Sequence, residues 1–175
     1  FNLAGRRAYL IALIYDNPND SYLVRALEGA QQACQQLGFG LMLHPAAYDG
    51  PRLIDEVLAL VRERRPTGLL LTPPVGDVVP LLDALDGAEQ DYARLSAMDA
   101  ARPGPLVSVD DRAAARDLTA YLIDLGHRRI AFIRGHGAHH SAGTRFEGYV
   151  DAHAERGLDF DPRLILQGSF SFESG

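Results

Sequence analysis

The feature that most restricts the fold is a repeated alternation of short apolar runs with segments of helical periodicity. The run "YLIALIY" (9–15) is continuously apolar, which is typical of a strand buried on both faces of a parallel sheet. After the turn cluster "DNPND", apolar residues recur at steps of four and three, which places them on one face of a helix. They are Leu23, Leu27, Ala30, Cys34 and Leu37. This alternation predicts an α/β fold with doubly wound parallel sheets and right-handed crossovers.

The same alternation continues along the whole chain. Asp20 or Ser21 is the expected N-cap of the first helix, and Gly38 is its expected C-terminal stop. Further strands are predicted at 39–44, 68–72, 92–95, 106–109, 129–133 and 164–168. Further helices are predicted at 52–64, 77–86, 111–125 and 144–156, the third with Ala114, Leu118, Leu122 and Leu125 on its apolar face.

The predicted elements divide unevenly into two lobes. Residues 1–109 carry enough strands for a nearly complete first lobe, whereas residues 110–175 supply only two strands and two helices. The stretch "ARPGPLVSVDD" has the composition of a connection between the two lobes. We therefore expect the chain to stop inside its second lobe.

Charge and composition exclude several classes of function. The net charge of −6 argues against nucleic-acid binding by this chain itself, because phosphate binding requires a face rich in Lys and Arg. The single cysteine, Cys34, cannot form an internal disulfide or a cysteine-rich metal motif. No run of about 18 apolar residues predicts a membrane span, and no signal peptide is recognisable, so a cytoplasmic location is expected.

The stretch "HHSAGTRFEGY" (139–149) lies where a loop is predicted to become a helix, at the carboxyl end of a strand. Ligands in open α/β sheets bind at this end of the strands. Ser141 is not in a G-x-S-x-G elbow, and "GHGAHH" fails the G-x-G-x-x-G pattern, so we predict neither an enzyme nor a nucleotide cofactor. His136, His139 and His140 lack a cysteine, an HExxH helix or a spaced carboxylate, which argues against zinc. They are expected to fill the loop or line the rim of a site, where His136 or His139 contacts a ligand.

Four separated motifs resemble the LacI-type bacterial transcription regulators. They are "IALIYDNPNDSYLVRALEGAQQACQQLGFGLML", "RPTGLLLTPP", "GHRRIAFI" and "SAGTRFEGYVDAHAERGLDFDP" followed by "GSFSFESG". The resemblance covers the effector-binding core and implies a periplasmic-binding-protein-like fold that closes two lobes on a small molecule. It also implies a homodimer, a helix-turn-helix domain before Phe1, and roughly 100 further residues after Gly175. This chain alone is then not expected to bind DNA.

The resemblance assigns ligand-binding roles in the second lobe. It implies that Arg145, three residues before Gly148, binds ligand hydroxyls or a carboxylate with the fixed fork of its guanidinium. Ser141 is expected to contact the ligand or to cap the helix, a role for which Thr144 competes. Phe170 is expected either to stack on a sugar or base or to belong to the core.

Further candidate contacts lie in the first lobe and at the junction of the lobes. Tyr22 is expected to pack on the ligand and Asp16 to accept from its hydroxyls, although each could instead form part of a turn or the core. Thr72, at the end of the third strand, is a weaker candidate. Asp110 is a candidate ligand contact, and Asp111 is expected to cap the following helix.

These expectations combine into one main functional hypothesis and two alternatives. The main hypothesis is an effector-sensing domain, with a sugar as the expected effector, whose ligand binding changes the operator affinity of a missing DNA-binding domain. Its dimer surfaces are expected on helices near residues 20–36 and 77–90. The alternatives are a transport-type sugar-binding protein of the same fold and an α/β enzyme.

Overall fold

The chain folds as two compact units. The computed structural model describes residues 9–16, 20–98 and 101–175. One unit is Phe1–Val107 and the other is Ser108–Gly175, so the division falls two residues before the boundary expected from the sequence.

The first unit is built on a five-stranded parallel sheet. Its strands are β1 (Leu10–Tyr15), β2 (Gly40–Pro45), β3 (Gly68–Leu71), β4 (Tyr92–Leu95) and β5 (Leu106–Val107). They lie in the order β2-β1-β3-β4-β5, and every neighbouring pair is parallel. The connecting helices are α1 (Asp20–Leu37), α2 (Leu53–Arg64) and α3 (Val79–Gly87). The predicted α/β fold with parallel sheets is confirmed.

The core of this unit lies where α2 and α3 pack on the sheet. Ala12 and Ile14 from β1 and Leu69 and Leu71 from β3 are buried there, together with Val57, Leu60, Leu81, Leu82 and Leu85 from the two helices. The continuous apolar character of "LIALIY" follows from this position, since β1 lies between β2 and β3 and consecutive residues on both of its faces are buried.

The α1 helix ends at the predicted position, but one residue of its predicted buried face is exposed. Gly38 adopts a left-handed φ of 75°, and Phe39 N donates to Cys34 O at 2.8 Å, which closes the helix as predicted. Cys34 is buried, but Leu37 is 73% exposed, so its assignment to the buried helix face is wrong. Leu37 is the last residue of α1.

The second unit is smaller and centres on two parallel helices. It contains α4 (Asp111–Asp124), β6 (Phe132–Arg134), α5 (His140–Glu155) and β7 (Ile165–Gln167), and β6 pairs with β7 in parallel. The buried Tyr149 joins α5 to the sheet, because its hydroxyl donates to Ile130 O at 2.9 Å and its ring packs on Phe132.

The backbones of α4 and α5 approach closely at Gly148. A Cβ atom at this position would collide with Arg112 O and would lie 2.9 Å from Arg116 N. Only glycine permits this approach. This contact determines which side of α4 is covered by α5, and Thr119 and Ile123 on that side are buried.

The apolar face predicted for the α4 helix is therefore wrong. Ala114, Leu118 and Leu125 are exposed, and Leu122 is only half-buried. The α4 sequence carries apolar residues on more than one side, so its periodicity could not select the side that contacts α5.

Several predicted boundaries are also corrected. The predicted helix 77–86 begins only at Val79, because Val75–Asp77 forms a 3-10 turn and Pro80 lies in the first turn of α3. The strands predicted at 106–109 and 129–133 are shorter or shifted, because pairing extends only over β5 and β6 as observed. The helix predicted from Thr144 begins four residues earlier, at His140. Two further 3-10 turns are Pro162–Leu164 and Phe172–Ser174.

Candidate functional site

Asp16 lies at the carboxyl end of β1, next to the loop that follows β2. Its Oδ2 atom accepts a hydrogen bond from Tyr48 N at 2.8 Å, which fixes the carboxylate against that loop. An open depression of about 320 Å³ lies beside it, lined by Tyr15, Asp16, Pro45, Ala46, Ala47 and Glu56. Asp16 thus has one oxygen anchored and lies beside a space that can admit a small polar group.

Thr72 and Tyr22, the other candidates of the first unit, differ in accessibility. Thr72 is fully buried, its hydroxyl donates to Ile14 O at 3.4 Å, and its N–H donates to the same oxygen at 3.1 Å. These contacts tie the ends of β1 and β3 together, which is a structural role. Tyr22 lies in the first turn of α1 and is half-buried.

In the second unit, the loop after β6 is packed around the ring of Phe170. A Cβ atom at Gly135 would overlap this ring, so the ring lies directly on the Gly135 backbone. The ring of His139 meets it edge-on at a centroid distance of 5.2 Å. His139 is 4% exposed, and the expectation that it lines a rim is wrong, because this packing covers its ring. The Nδ1 atom of the half-buried His136 accepts from Ala138 N at 3.2 Å.

Neither Ser141 nor Thr144 caps α5. His139 holds the N-cap position, without a side-chain hydrogen bond, so Ser141 falls inside the first turn. Thr144 lies deeper in the helix and its hydroxyl donates to the carbonyls of His140 and Ser141, both at 3.3 Å. Among the described residues, the half-buried Ser141 hydroxyl has no hydrogen-bond partner, which leaves it available to a ligand.

Arg145 lies one turn further along α5 and contacts the start of α4. Its Nε donates to Asp111 Oδ1 at 2.7 Å. The Arg145 side chain remains 47% exposed, whereas that of Asp111 is only 13% exposed. The open side of the guanidinium therefore faces away from the carboxylate and can donate to another group.

The capping role at α4 belongs to Asp110, and its assignment to Asp111 is corrected. Asp110 is the N-cap, and its Oδ1 accepts from Ala113 N at 2.9 Å. Asp111 is the first helical residue, and its side chain points to Arg145 instead. Two adjacent aspartates in the sequence do not reveal which one caps, so the sequence contained no signal for the Asp111–Arg145 pair.

Arg112 and Arg156 form further ion pairs between the helices of the second unit. Arg112 donates to both carboxylate oxygens of Asp151, and Arg156 does the same to Asp124. The hydrogen bonds from the guanidinium groups lower the pKa of both carboxyls below the usual range.

One buried charge in the first unit was missed by sequence reasoning. Arg94 in β4 is 1% exposed and pairs in register with the core residue Leu71. Its Nη2 donates to Arg102 O at 3.0 Å, but its Nε and Nη1 atoms have no partner within the described part of the chain. Arg102, in turn, donates to Asp83 at 2.8 Å and to Tyr92 Oη at 3.1 Å. These bonds hold the connection between β4 and β5 against α3 and β4.

Neither a metal site nor a membrane-spanning helix is found within residues 9–16, 20–98 and 101–175. No group of three or more His, Cys, Asp and Glu side chains in these ranges could hold a metal ion. No helix in them is both long enough and apolar enough to cross a membrane.

The comparisons with known proteins agree with this architecture. Residues 8–175 match the family described as "Periplasmic binding proteins and sugar binding domain of LacI family". The chain belongs to this family. This LacI-type chain is 25% identical over 99% of its length to the HTH-type transcriptional regulator DegA of Bacillus subtilis, and 30% identical over 94% to the HTH-type transcriptional repressor PurR of Serratia proteamaculans.

The chain spans about half the length of these relatives, 52% of DegA and 48% of PurR. Among solved structures, the transcriptional regulator CelR in complex with cellobiose superimposes with a TM-score of 0.80. The match is at 24% identity and covers 98% of this chain and 54% of CelR, and it confirms the fold.

Proposed function

We propose that this chain is the effector-sensing part of a LacI-type transcription regulator. The observation that carries the proposal is the family match over residues 8–175, whose description names sugar binding, together with relatives that are transcription regulators. The effector is a polar small molecule of the sugar class, and no catalytic step or cofactor is part of the proposal.

The start of α5 supplies the groups that suit such a ligand. Arg145 presents the unbonded side of its guanidinium, and Ser141 presents a hydroxyl that has no partner among the described residues. Both groups recognise hydroxyl oxygens, and the half-buried Phe170 offers a ring on which a sugar can pack. In the first unit, the anchored carboxylate of Asp16 and the phenol of Tyr22 remain candidate contacts, whereas the buried Thr72 supports the strand ends.

Regulation requires that the effector bind two conformations of the protein with different affinity. Operator recognition is proposed to belong to a part of the protein outside these 175 residues, acting in the cytoplasm. Homodimerisation is proposed through α1, on which Val24 exposes a large apolar side chain. The α3 helix also exposes one large apolar side chain, that of Val79, whereas its Leu81, Leu82 and Leu85 are buried in the core.

A thermal-shift screen of sugars and nucleosides on the full-length gene product tests ligand binding. A ligand that binds the native state raises the melting temperature. We expect a sugar to give such a shift and Arg145→Ala to abolish it. Arg116→Ala is the matched control, because Arg116 bonds only to its neighbour Asp117 among the described residues and should leave the shift unchanged.

DNA binding distinguishes a regulator from a transport-type sugar-binding protein of the same family. Fluorescence anisotropy with DNA from upstream of the gene should report binding by the full-length product that changes when the sugar is added. Sugar binding by a monomer that is indifferent to this DNA would support the transport alternative. Turnover of a hit compound that is lost in Ser141→Ala would instead support an enzyme.

A further inference from the structure

The side chains of Asp111 and Arg145 form an ion pair whose two members differ in their exposure to solvent. The carboxylate is largely covered, and the guanidinium is about half exposed. Only the Nε nitrogen is bonded to Asp111, at 2.7 Å, and the two terminal nitrogens of Arg145 have no partner among the described residues. The pair therefore holds one edge of the guanidinium and leaves its end open.

The surrounding structure fixes the carboxylate in this position. Asp110 caps α4 through Ala113 N, so Asp111 is held in the first helical turn. The missing Cβ of Gly148 lets α4 approach α5 at Arg112, the residue next to Asp111. Consequently the orientation of Arg145 depends on the start of a second helix that lies 34 residues earlier in the sequence.

We propose that Asp111 is a positioning residue for Arg145 and that its charge makes the site select a neutral polyhydroxylated ligand over an anionic one. The inference rests on the proposed ligand-binding role of Arg145. An isolated arginine can bind either ligand hydroxyls or a ligand carboxylate or phosphate. With Asp111 beside it, we infer that Arg145 binds the hydroxyls.

The charge preference follows from the sum of the charges at the pair. The carboxylate of Asp111 neutralises the guanidinium of Arg145. An anion that binds the open end of Arg145 is then repelled by the carboxylate already bonded to the same guanidinium, whereas a neutral hydroxyl accepts from the guanidinium without this repulsion. A neutral ligand retains the hydrogen bonds without the opposing charge.

Substitution of Asp111 separates its charge from its positioning role. Asp111→Asn keeps an oxygen that can accept from Nε and removes the negative charge, and Asp111→Ala removes both. The probes are two matched pairs, ribose with ribose 5-phosphate and glucose with glucose 6-phosphate, together with inorganic phosphate. Dissociation constants are measured by isothermal titration calorimetry on the full-length gene product.

The wild-type protein should bind one of the neutral sugars at least tenfold more tightly than its phosphate ester. Asp111→Asn should shift this ratio toward the ester by about tenfold, which is the effect of one charge a few ångströms away in a half-exposed site. Asp111→Ala should weaken binding of the neutral sugar by about tenfold, because Arg145 loses its orienting partner. Asp151→Asn is the matched control, since it removes the negative charge of a carboxylate paired with Arg112 without touching Arg145, and it should leave both constants unchanged.

Two outcomes would overturn the charge preference. They are a wild-type protein that prefers the phosphate ester, and a ratio that Asp111→Asn does not move or that Asp151→Asn moves equally. If the wild-type protein retains no member of the panel, the sugar-sensing function fails for these sugars, and inorganic phosphate still tests the pair. Phosphate binding gained in Asp111→Asn and lacking in the wild type supports the inference, and no such gain contradicts it.

Discussion

The substitution Gly148→Ala is expected to destabilise the second unit, although alanine is the better helix former. Gly148 lies inside α5, where replacing glycine by alanine would by itself stabilise a helix by about 1 kcal/mol. The added Cβ, however, would collide with Arg112 O and approach Arg116 N to 2.9 Å. These are backbone atoms, so the strain is relieved only if α4 moves away from α5.

The magnitude follows from these two opposing effects. Overpacking in a close contact costs about 1–3 kcal/mol, and contact with helix backbone belongs at the upper end because no side chain can rotate away. After subtraction of the helix preference, we expect the free energy of unfolding to fall by about 2 kcal/mol. For a chain of this length the melting temperature should fall by about 4–8 °C.

Gly143→Ala is the matched control, since Gly143 lies in the same helix and a Cβ there would have nothing within 4 Å. Thermal unfolding followed by circular dichroism at 222 nm should show Gly143→Ala to be as stable as the wild type or more stable. Equal melting temperatures for the two variants would refute the close approach of α4 and α5.

Three further predictions concern stability and the packing of the site. Arg94→Met should raise the free energy of unfolding by about 1 kcal/mol or more, because it removes buried charge with unbonded nitrogens; a lower urea midpoint would show that the guanidinium is satisfied. Hydrogen bonds from Arg163 lower the pKa of Asp161 from 3.8 to about 2, so its contribution to stability should be complete above pH 4 and disappear as the pH falls toward 2. Asp161→Asn should accordingly flatten the melting temperature between these pH values, and an unchanged profile would contradict the pairing. Gly135→Ala should displace the ring of Phe170 and weaken sugar binding by about tenfold with little loss of stability, as measured by titration calorimetry; unchanged affinity would remove Phe170 from the ligand site.

Local sequence patterns were sufficient where an element is governed by its own residues. The apolar run of β1 predicted a strand buried in a parallel sheet because such a strand is covered on both faces, and Gly38 predicted the end of α1 because glycine readily adopts a positive φ. The element β4 was predicted at its observed bounds, Tyr92–Leu95. None of these features depends on which residue from a distant part of the sequence packs against the element.

The candidate site was predictable only in part. The motif that carries Arg145, Ser141 and Phe170 could be read from the sequence through its family resemblance, and those residues stay predictions as ligand contacts. The sequence did not indicate that His139 would be buried beneath Phe170, because that contact joins two loops about 30 residues apart.

The sequence by itself thus determined the alternation of strands and helices, the family and the segment that holds the candidate arginine. Tertiary structure alone decided which side of α4 is covered and which aspartate faces Arg145. Both depend on Gly148, whose missing Cβ brings the two helix backbones together. A periodic pattern records which residues share a face of one helix, but the partner of that face is set by contacts between segments that are distant in the chain.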